Sequence, residues 1–252
     1  MSAFTTPLLE MFRRGDVDRD LRLLAARGAL APRAHEQLGL LMLLVGDDDP
    51  EVAATAERTL KALSPDALAA FLARSDVSTE VRTFFAARDV HPAGVPGADD
   101  DGPLVDTAGE GDSGKDDTTT TLQRIAGMSV AERVVAAMKG TREERAILIR
   151  DANRIVNVAV LSSPKITDTE IESIAKMTSV SDEVLRIIGR TRAWMKNYTV
   201  TAALAKNPKT PVALSMNLLP RLLDKDLKAI TTDRNVPDVV RTAARRKVSG
   251  DR

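Results

Sequence analysis

The sequence predicts an all-α protein of two helical-repeat domains joined by a disordered acidic linker, and three observations carry that prediction. The first is a stretch that occurs twice. At one fixed offset, Leu68, Ala70, Phe71, Asp76, Val77, Val81, Arg82 and Thr83 fall on Leu227, Ala229, Ile230, Asn235, Val236, Val240, Arg241 and Thr242. Each copy reads as an apolar helix, a tight Asp/Asn turn and a second helix, a unit that cannot bury its apolar face without a neighbour. The second is composition: 252 residues, 43% apolar but only 3% aromatic, with Ala and Leu abundant and Gly and Pro set between periodic segments, favour helix over sheet. The third is a set of capping-box spacings, Ser129 with Glu132, Thr141 with Glu144 and Thr167 with Glu170, in which side chains satisfy the free backbone donors at a helix start.

The elements follow in order. Thr6 with Pro7 opens the first helix, Asp16 a second that ends near Gly28, and Pro32 a third that ends at Gly46. Asp49-Pro50, Ser64-Pro65 and Ser78 open three more. Leu21, Leu24 and Ala25 form an i, i+3, i+4 stripe, and Leu38, Leu41, Met42 and Val45 give the next helix a broad apolar face. The domain limits are 1–89 and 122–252. The intervening stretch of residues 90–121 holds His91-Pro92, Val95-Pro96-Gly97, Asp99-Asp100-Asp101-Gly102-Pro103 and a run of threonines, with almost nothing apolar to offset the entropy of ordering. Within it, Gly109 to Asp116 imitates a phosphate-binding loop, but Asp116 stands where Ser or Thr would hold magnesium, no strand precedes it, and its acids repel phosphate.

Val81, as the opening apolar residue of a second helix, has counterparts at Val52, Val184, Val212 and Val240, a step of about 28 to 29 residues within each half. The turns before these positions rhyme as well. Ser163-Pro164-Lys165, Asn207-Pro208-Lys209-Thr210-Pro211 and Asn235-Val236-Pro237 each set a short polar residue and a proline at a reversal. With Asp48-Asp49-Pro50-Glu51-Val52-Ala53, Val77-Ser78-Thr79-Glu80-Val81-Arg82 and Asn235-Val236-Pro237-Asp238-Val239-Val240-Arg241, the chain resembles bacterial HEAT/armadillo-like short helical-repeat proteins over most of both domains. The resemblance implies a fold and no particular activity; its members include adaptors, DNA binders and lyases.

Charge and chemistry narrow the function further. The formal zero is a cancellation: residues 1–98 hold 11 basic and 14 acidic residues, residues 99–120 hold one and eight, and residues 121–252 hold 24 and 14, a net of +10. The absence of cysteine excludes disulfides, thiolate metal sites and cysteine nucleophiles, and fits a reducing cytoplasm. The beginning lacks a leader pattern, and the longest apolar run, Leu38 to Val45, is far short of a membrane span of about 20 residues. His35 and His91, the only histidines, have no second ligand at metal spacing. Ser162-Ser163-Pro164-Lys165 has Ser-x-x-Lys spacing, but it spans a turn and reads as a cap.

No catalytic, cofactor or metal residue is assigned. The candidate partner surface runs from Arg186 to Tyr198. Arg186 and Arg190 lie one turn apart, Trp194 and Tyr198 form another i, i+4 pair, and Arg192, Lys196 and Asn197 fall among them. The ordinary reading of the same spacing is two aromatics packed in a core while the cations face water. Arg241 and Arg245, with Arg246 and Lys247, form a second basic group that also suits a helix C-terminus. Arg150, Asp151, Asn153, Arg154 and Asn157 form a polar strip suited to supporting turns. The expected function is a non-enzymatic scaffold or adaptor that binds a protein or acidic peptide on the basic C-terminal domain. Nucleic-acid binding by the same face is the alternative, and an enzyme on a HEAT-like scaffold the second. The acidic run ending in Thr118 to Thr121 is an expected phosphorylation site.

Overall fold

The computed structural model describes residues 6–94, 102–105 and 121–250. These residues form sixteen α-helices and two 3₁₀ turns, with no strand among them. The helices are α1 Pro7–Arg14, α2 Arg19–Ala26, α3 Ala34–Leu44, α4 Pro50–Ala62, α5 Pro65–Leu72, α6 Thr79–Ala86, α7 Thr121–Ala126, α8 Val130–Lys139, α9 Arg142–Leu148, α10 Arg154–Ser162, α11 Asp168–Lys176, α12 Asp182–Arg190, α13 Tyr198–Lys206, α14 Val212–Leu218, α15 Asp224–Thr232 and α16 Asp238–Val248. Among the described residues no helix is long and apolar enough to cross a membrane.

The starts are where short polar residues and prolines put them. Thr6, Asp49, Ser64 and Ser78 cap α1, α4, α5 and α6 with side-chain oxygens that accept backbone N–H donors. All three expected capping boxes form: Ser129 with Glu132, Thr141 with Glu144, and Thr167 with Glu170 exchange side-chain and backbone hydrogen bonds in both directions. One start differs. α2 begins at Arg19 with Asp18 as its cap, because Gly15 closes α1 in a left-handed turn and residues 16–18 carry the chain round.

The duplicated stretch has matching helix starts and core positions in its two copies, although α15 packs closely on α16 and α5 does not do so on α6. α5 and α6 start at the same offset from α15 and α16 that relates Leu68 to Leu227. Burial agrees at five pairs of positions: Leu68, Phe71, Val77, Val81 and Phe85 are core, and so are Leu227, Ile230, Val236, Val240 and Ala244, whereas Ala67 is exposed where Asp226 is buried. Val52 and Val184 are likewise buried third residues of α4 and α12. Val212 breaks the pattern, being the first residue of α14 and 40% exposed. The turn Asn207 to Pro211 ends later than its counterparts, so the third position of that helix is Leu214.

The chain gathers into two compact units, residues 1–148 with 153–165 and residues 149–152 with 166–252. This grouping differs from the limits read off the sequence, since α7 to α10 belong with the N-terminal helices. The reason is α10, which is buried at every position from Ile155 to Ser162 and so needs cover on more than one side. In the first unit α10 packs on α8, α9 and α1, and the Leu8 N–H donates to the buried Ser162 Oγ at 3.2 Å. α2 packs on α3, α4 and α8. Arg22 pairs at 2.5 Å with Asp47 in the turn before α4, and the Thr59 hydroxyl of α4 donates to the Ala26 carbonyl of α2 at 2.6 Å. In the second unit α11 packs on α13, α13 on α14, α14 on α16 and α15 on α16.

The stretch expected to be disordered is in part ordered. Ala93 N–H donates to the Ala69 carbonyl at 2.9 Å, and Gly102–Val105 are held on the first unit by Gln37. Residues 95–101 and 106–120, including the Gly109 to Asp116 pattern and the phosphorylatable Thr118 to Thr120, lie outside the described residues.

The matched burial of Leu68 and Leu227 makes a paired prediction. Leu68→Ala and Leu227→Ala should each destabilise their own unit by about 2–5 kcal/mol, seen as faster amide exchange in α5–α6 and in α15–α16 respectively. A loss below about 1 kcal/mol at either position would show that the copies are not alike in the core.

Candidate functional site

The second unit carries an open cleft of about 780 Å³, bounded by the C-terminal end of α11, one face of α13, the first turn of α15 and the turn before α16. Its floor is made by Ala202 and Ala203, each 8% exposed. A methyl on this face of α13 leaves open the space that a larger side chain would fill. Lys176, Lys206 and Lys225 stand around it, with Tyr198, Asn207, Asp226 and Asp233.

Asp226 organises the polar side of the cleft. It lies on the core-facing side of α15, one turn before Ile230, and is buried. One carboxylate oxygen takes the Lys206 ammonium at 2.6 Å and the other accepts the Tyr198 hydroxyl. Tyr198 in turn accepts the Leu223 N–H at 3.0 Å, which satisfies the first backbone donor before α15. Lys206 and Tyr198, in that order, hold the Asp226 carboxyl below the ordinary carboxylate range. Burial and the bond donated to Asp226 push the Tyr198 phenol up. Chemically this is a charge already balanced, with both Tyr198 lone pair and proton in use.

Asn207 secures the opposite wall. Its side-chain amide donates at 2.8 Å to the carbonyls of both Ala175 and Met177, and its oxygen accepts the Lys209 N–H at 2.9 Å. The end of α11 is thereby fixed to the turn after α13. The exposed Lys176 pairs with the half-buried Glu172 at 2.6 Å, Lys225 makes no ion pair among the described residues, and Asp233 accepts the N–H of Asn235 within its own turn.

The sequence-predicted residues are distributed over four elements. Arg186 and Arg190 are on α12, where Arg186 pairs with Asp182 at 3.0 Å and Arg190 is exposed. Trp194 and Lys196 lie in a 3₁₀ turn, Trp194–Lys196, and Arg192 is exposed just before it. Tyr198 is the first residue of α13. Trp194 and Tyr198 are therefore not an i, i+4 pair on one helix: Asn197 takes an extended conformation between them and caps α13 through the Thr199 N–H. Both aromatics are half-buried. Arg241 is half-buried against Asp238, and Arg245 donates to the Thr231 carbonyl at 3.2 Å, which joins α16 to α15.

Other candidates have structural work. His35 meets Phe71 edge-on at 4.7 Å and Asp76 at 3.4 Å, while His91 is exposed. Ser163 donates to the Met138 carbonyl at 2.8 Å, the cap and turn expected of the Ser-x-x-Lys segment. In the polar strip, Asn153 caps α10, Arg150 reaches the Met177 sulfur at 3.7 Å, and Arg154 meets Asp16 at 3.6 Å. No group of three or more His, Asp or Glu suited to a metal occurs among the described residues.

Sequence reading missed Asp226 and Lys206, yet two signals mark them. Tyr198 and Asp226 are one repeat step apart, which sets them side by side when helices stack. Asp226 also occupies the inward stripe of its helix, where an acid needs a partner. No protein-family model, no curated protein and no solved structure matches this chain.

Asp226 gains its partners only on folding, so its lowered folded pKa makes a signed prediction. The stabilisation is present above the unfolded value of 3.8 and disappears as pH falls through the lower folded value. Urea unfolding followed by Trp194, the only tryptophan, should show wild type more stable than Asp226→Asn above about pH 5, with the gap closing toward about pH 2. A gap independent of pH would mean that the carboxylate charge contributes nothing.

Proposed function

We propose that the protein is a non-enzymatic adaptor built from stacked HEAT-like helical pairs, which captures an acidic segment of a partner protein on its second unit. The observation that carries this reading is the charge state of the cleft. Asp226 is already balanced by Lys206 and Tyr198, and Lys176 by Glu172, so Lys225, which makes no ion pair among the described residues, is left to meet an incoming carboxylate. Such rim charges steer and orient a partner more than they bind it, and the alanine floor supplies the apolar contact. Arg190, Arg192 and Lys196 add exposed cations that make no ion pair among the described residues. The matched starts and burial of the duplicated hairpins support the repeat architecture. A cytoplasmic setting fits the lack of cysteine.

Nucleic acid is the rival ligand for a unit with this charge. Against it, Arg241 and Arg245 are occupied in holding α16 to its own first turn and to α15, so the C-terminal basic group offers fewer free phosphate contacts than its composition implies. Against an enzymatic reading, the Tyr198 phenol and the Asp226 carboxylate are both engaged in hydrogen bonds on both sides.

Fluorescence anisotropy with a labelled acidic dodecapeptide tests the proposal against a labelled duplex of the same length. Saturable peptide binding should weaken about tenfold in Lys225→Glu and again in Arg190→Glu/Arg192→Glu, with a shallow salt dependence. Tighter duplex binding that collapses steeply with salt would transfer the function to nucleic acid, and no binding of either probe would defeat the proposal.

A further inference from the structure

Gln37 and Gly28, in the first unit, make a second site that is independent of the lysine cleft. Gln37 lies on α3 and is 1% exposed. Its side-chain amide donates to the Gly28 carbonyl at 2.8 Å, which settles the orientation of the carboxamide and turns its oxygen toward Gly102–Val105. That one oxygen accepts two successive main-chain donors, Leu104 N–H at 2.9 Å and Val105 N–H at 3.0 Å. Gly28 holds a left-handed φ of 75° in the turn after α2, and a Cβ placed there would fall 2.9 Å from the Cβ and Cγ2 of Val105. The missing side chain of Gly28 is thus the seat of the Val105 isopropyl group.

Both halves of this contact read a peptide rather than complete a core. The oxygen recognises main-chain donors, whatever side chains they carry, and the glycine seat accepts one compact residue. Pro103 has no N–H of its own, so the two donors used are the first that follow it. Leu104 and Val105 remain half-buried, and they are the only adjacent pair of large aliphatic residues between Val90 and Thr121. An apolar pair behind a proline, within an acidic and Gly/Pro-rich stretch, has the make-up of a short linear ligand.

We propose that Gln37 and Gly28 form a peptide-binding notch, whose ligand class is an extended segment with an aliphatic residue followed by a valine-sized one. The chain's own Leu104–Val105 fills it as a tethered, displaceable ligand. Two hydrogen bonds and two half-buried side chains bind weakly between separate molecules. Tethering raises the effective concentration to about the millimolar range, which keeps the notch filled in the intact chain while leaving it exchangeable.

The test uses the full chain and a labelled ten-residue peptide copying residues 99–108. In Leu104→Asp/Val105→Asp the tethered ligand is spoiled and the notch is left intact. The peptide should bind that variant at least about tenfold more tightly than it binds the wild-type chain, whose notch is filled. Methylating the two peptide nitrogens at the Leu and Val positions should cost at least about tenfold, since it removes both donors without touching the protein. Gln37→Leu in the spoiled chain should abolish binding, and the N-methyl peptide supplies the same information if that variant does not fold. Equal binding by wild type and the spoiled chain, equal binding by the methylated peptide, or no binding to the spoiled chain would each overturn the proposal. None of these readouts involves Lys225 or the cleft of the second unit.

Discussion

A helix of eight or nine residues does not hold itself together in water, because the cost of nucleating it is spread over too few hydrogen bonds. The helices of this protein run from 6 to 13 residues, so each depends on a neighbour to cover its apolar face and on capping groups to satisfy its free ends. That dependence accounts for the paired pattern of the chain, for the dense polar punctuation between helices, and for the side chains that reach across to carbonyls of an adjacent element. Thr59 on Ala26, Ser163 on Met138, Arg145 on Gly140 and Asn207 on Ala175 and Met177 are the same device. Each satisfies a helix-end acceptor with a side chain from a neighbouring segment.

The same requirement shapes the candidate site. An acid on the inward stripe of α15 would be costly alone, and it is met by a lysine and a tyrosine from the ends of α13. Asp226, Lys206 and Tyr198 thereby satisfy one another on the polar side of the cleft. The notch at Gln37 works on a different principle, with a buried carboxamide presenting one acceptor to an extended backbone. As proposed, the two sites read different properties of a ligand, charge in one and main-chain geometry in the other.

What the sequence disclosed was mostly local. Caps at Thr6, Asp49, Ser64 and Ser78 and the boxes at Ser129, Thr141 and Thr167 depend on residues within one turn, so spacing alone located them. The duplicated hairpin was legible because its core positions repeat. The grouping of α7 to α10 with the N-terminal helices was not, since it depends on α10 meeting α1 across more than 140 residues of sequence. Likewise Trp194 and Tyr198 have helical spacing, and only the extended conformation of Asn197 separates them. Gln37 gave no signal, because a glutamine in an apolar helix looks alike whether it faces solvent or a peptide. Periodicity reports which face is buried, and these features turn on what lies against that face.

Asn207 carries a consequence for how this chain ages and varies. Its amide nitrogen faces two carbonyl oxygens, so an aspartate there would set anion against acceptor, and conversion of the side chain to its acid would undo the wall of the cleft. Spontaneous loss of an asparagine amide starts with attack by the nitrogen of the following residue, and that residue is Pro208, whose nitrogen has no hydrogen to give up. The proline that shapes the turn also closes the main-chain-nitrogen route by which its neighbour would lose its amide.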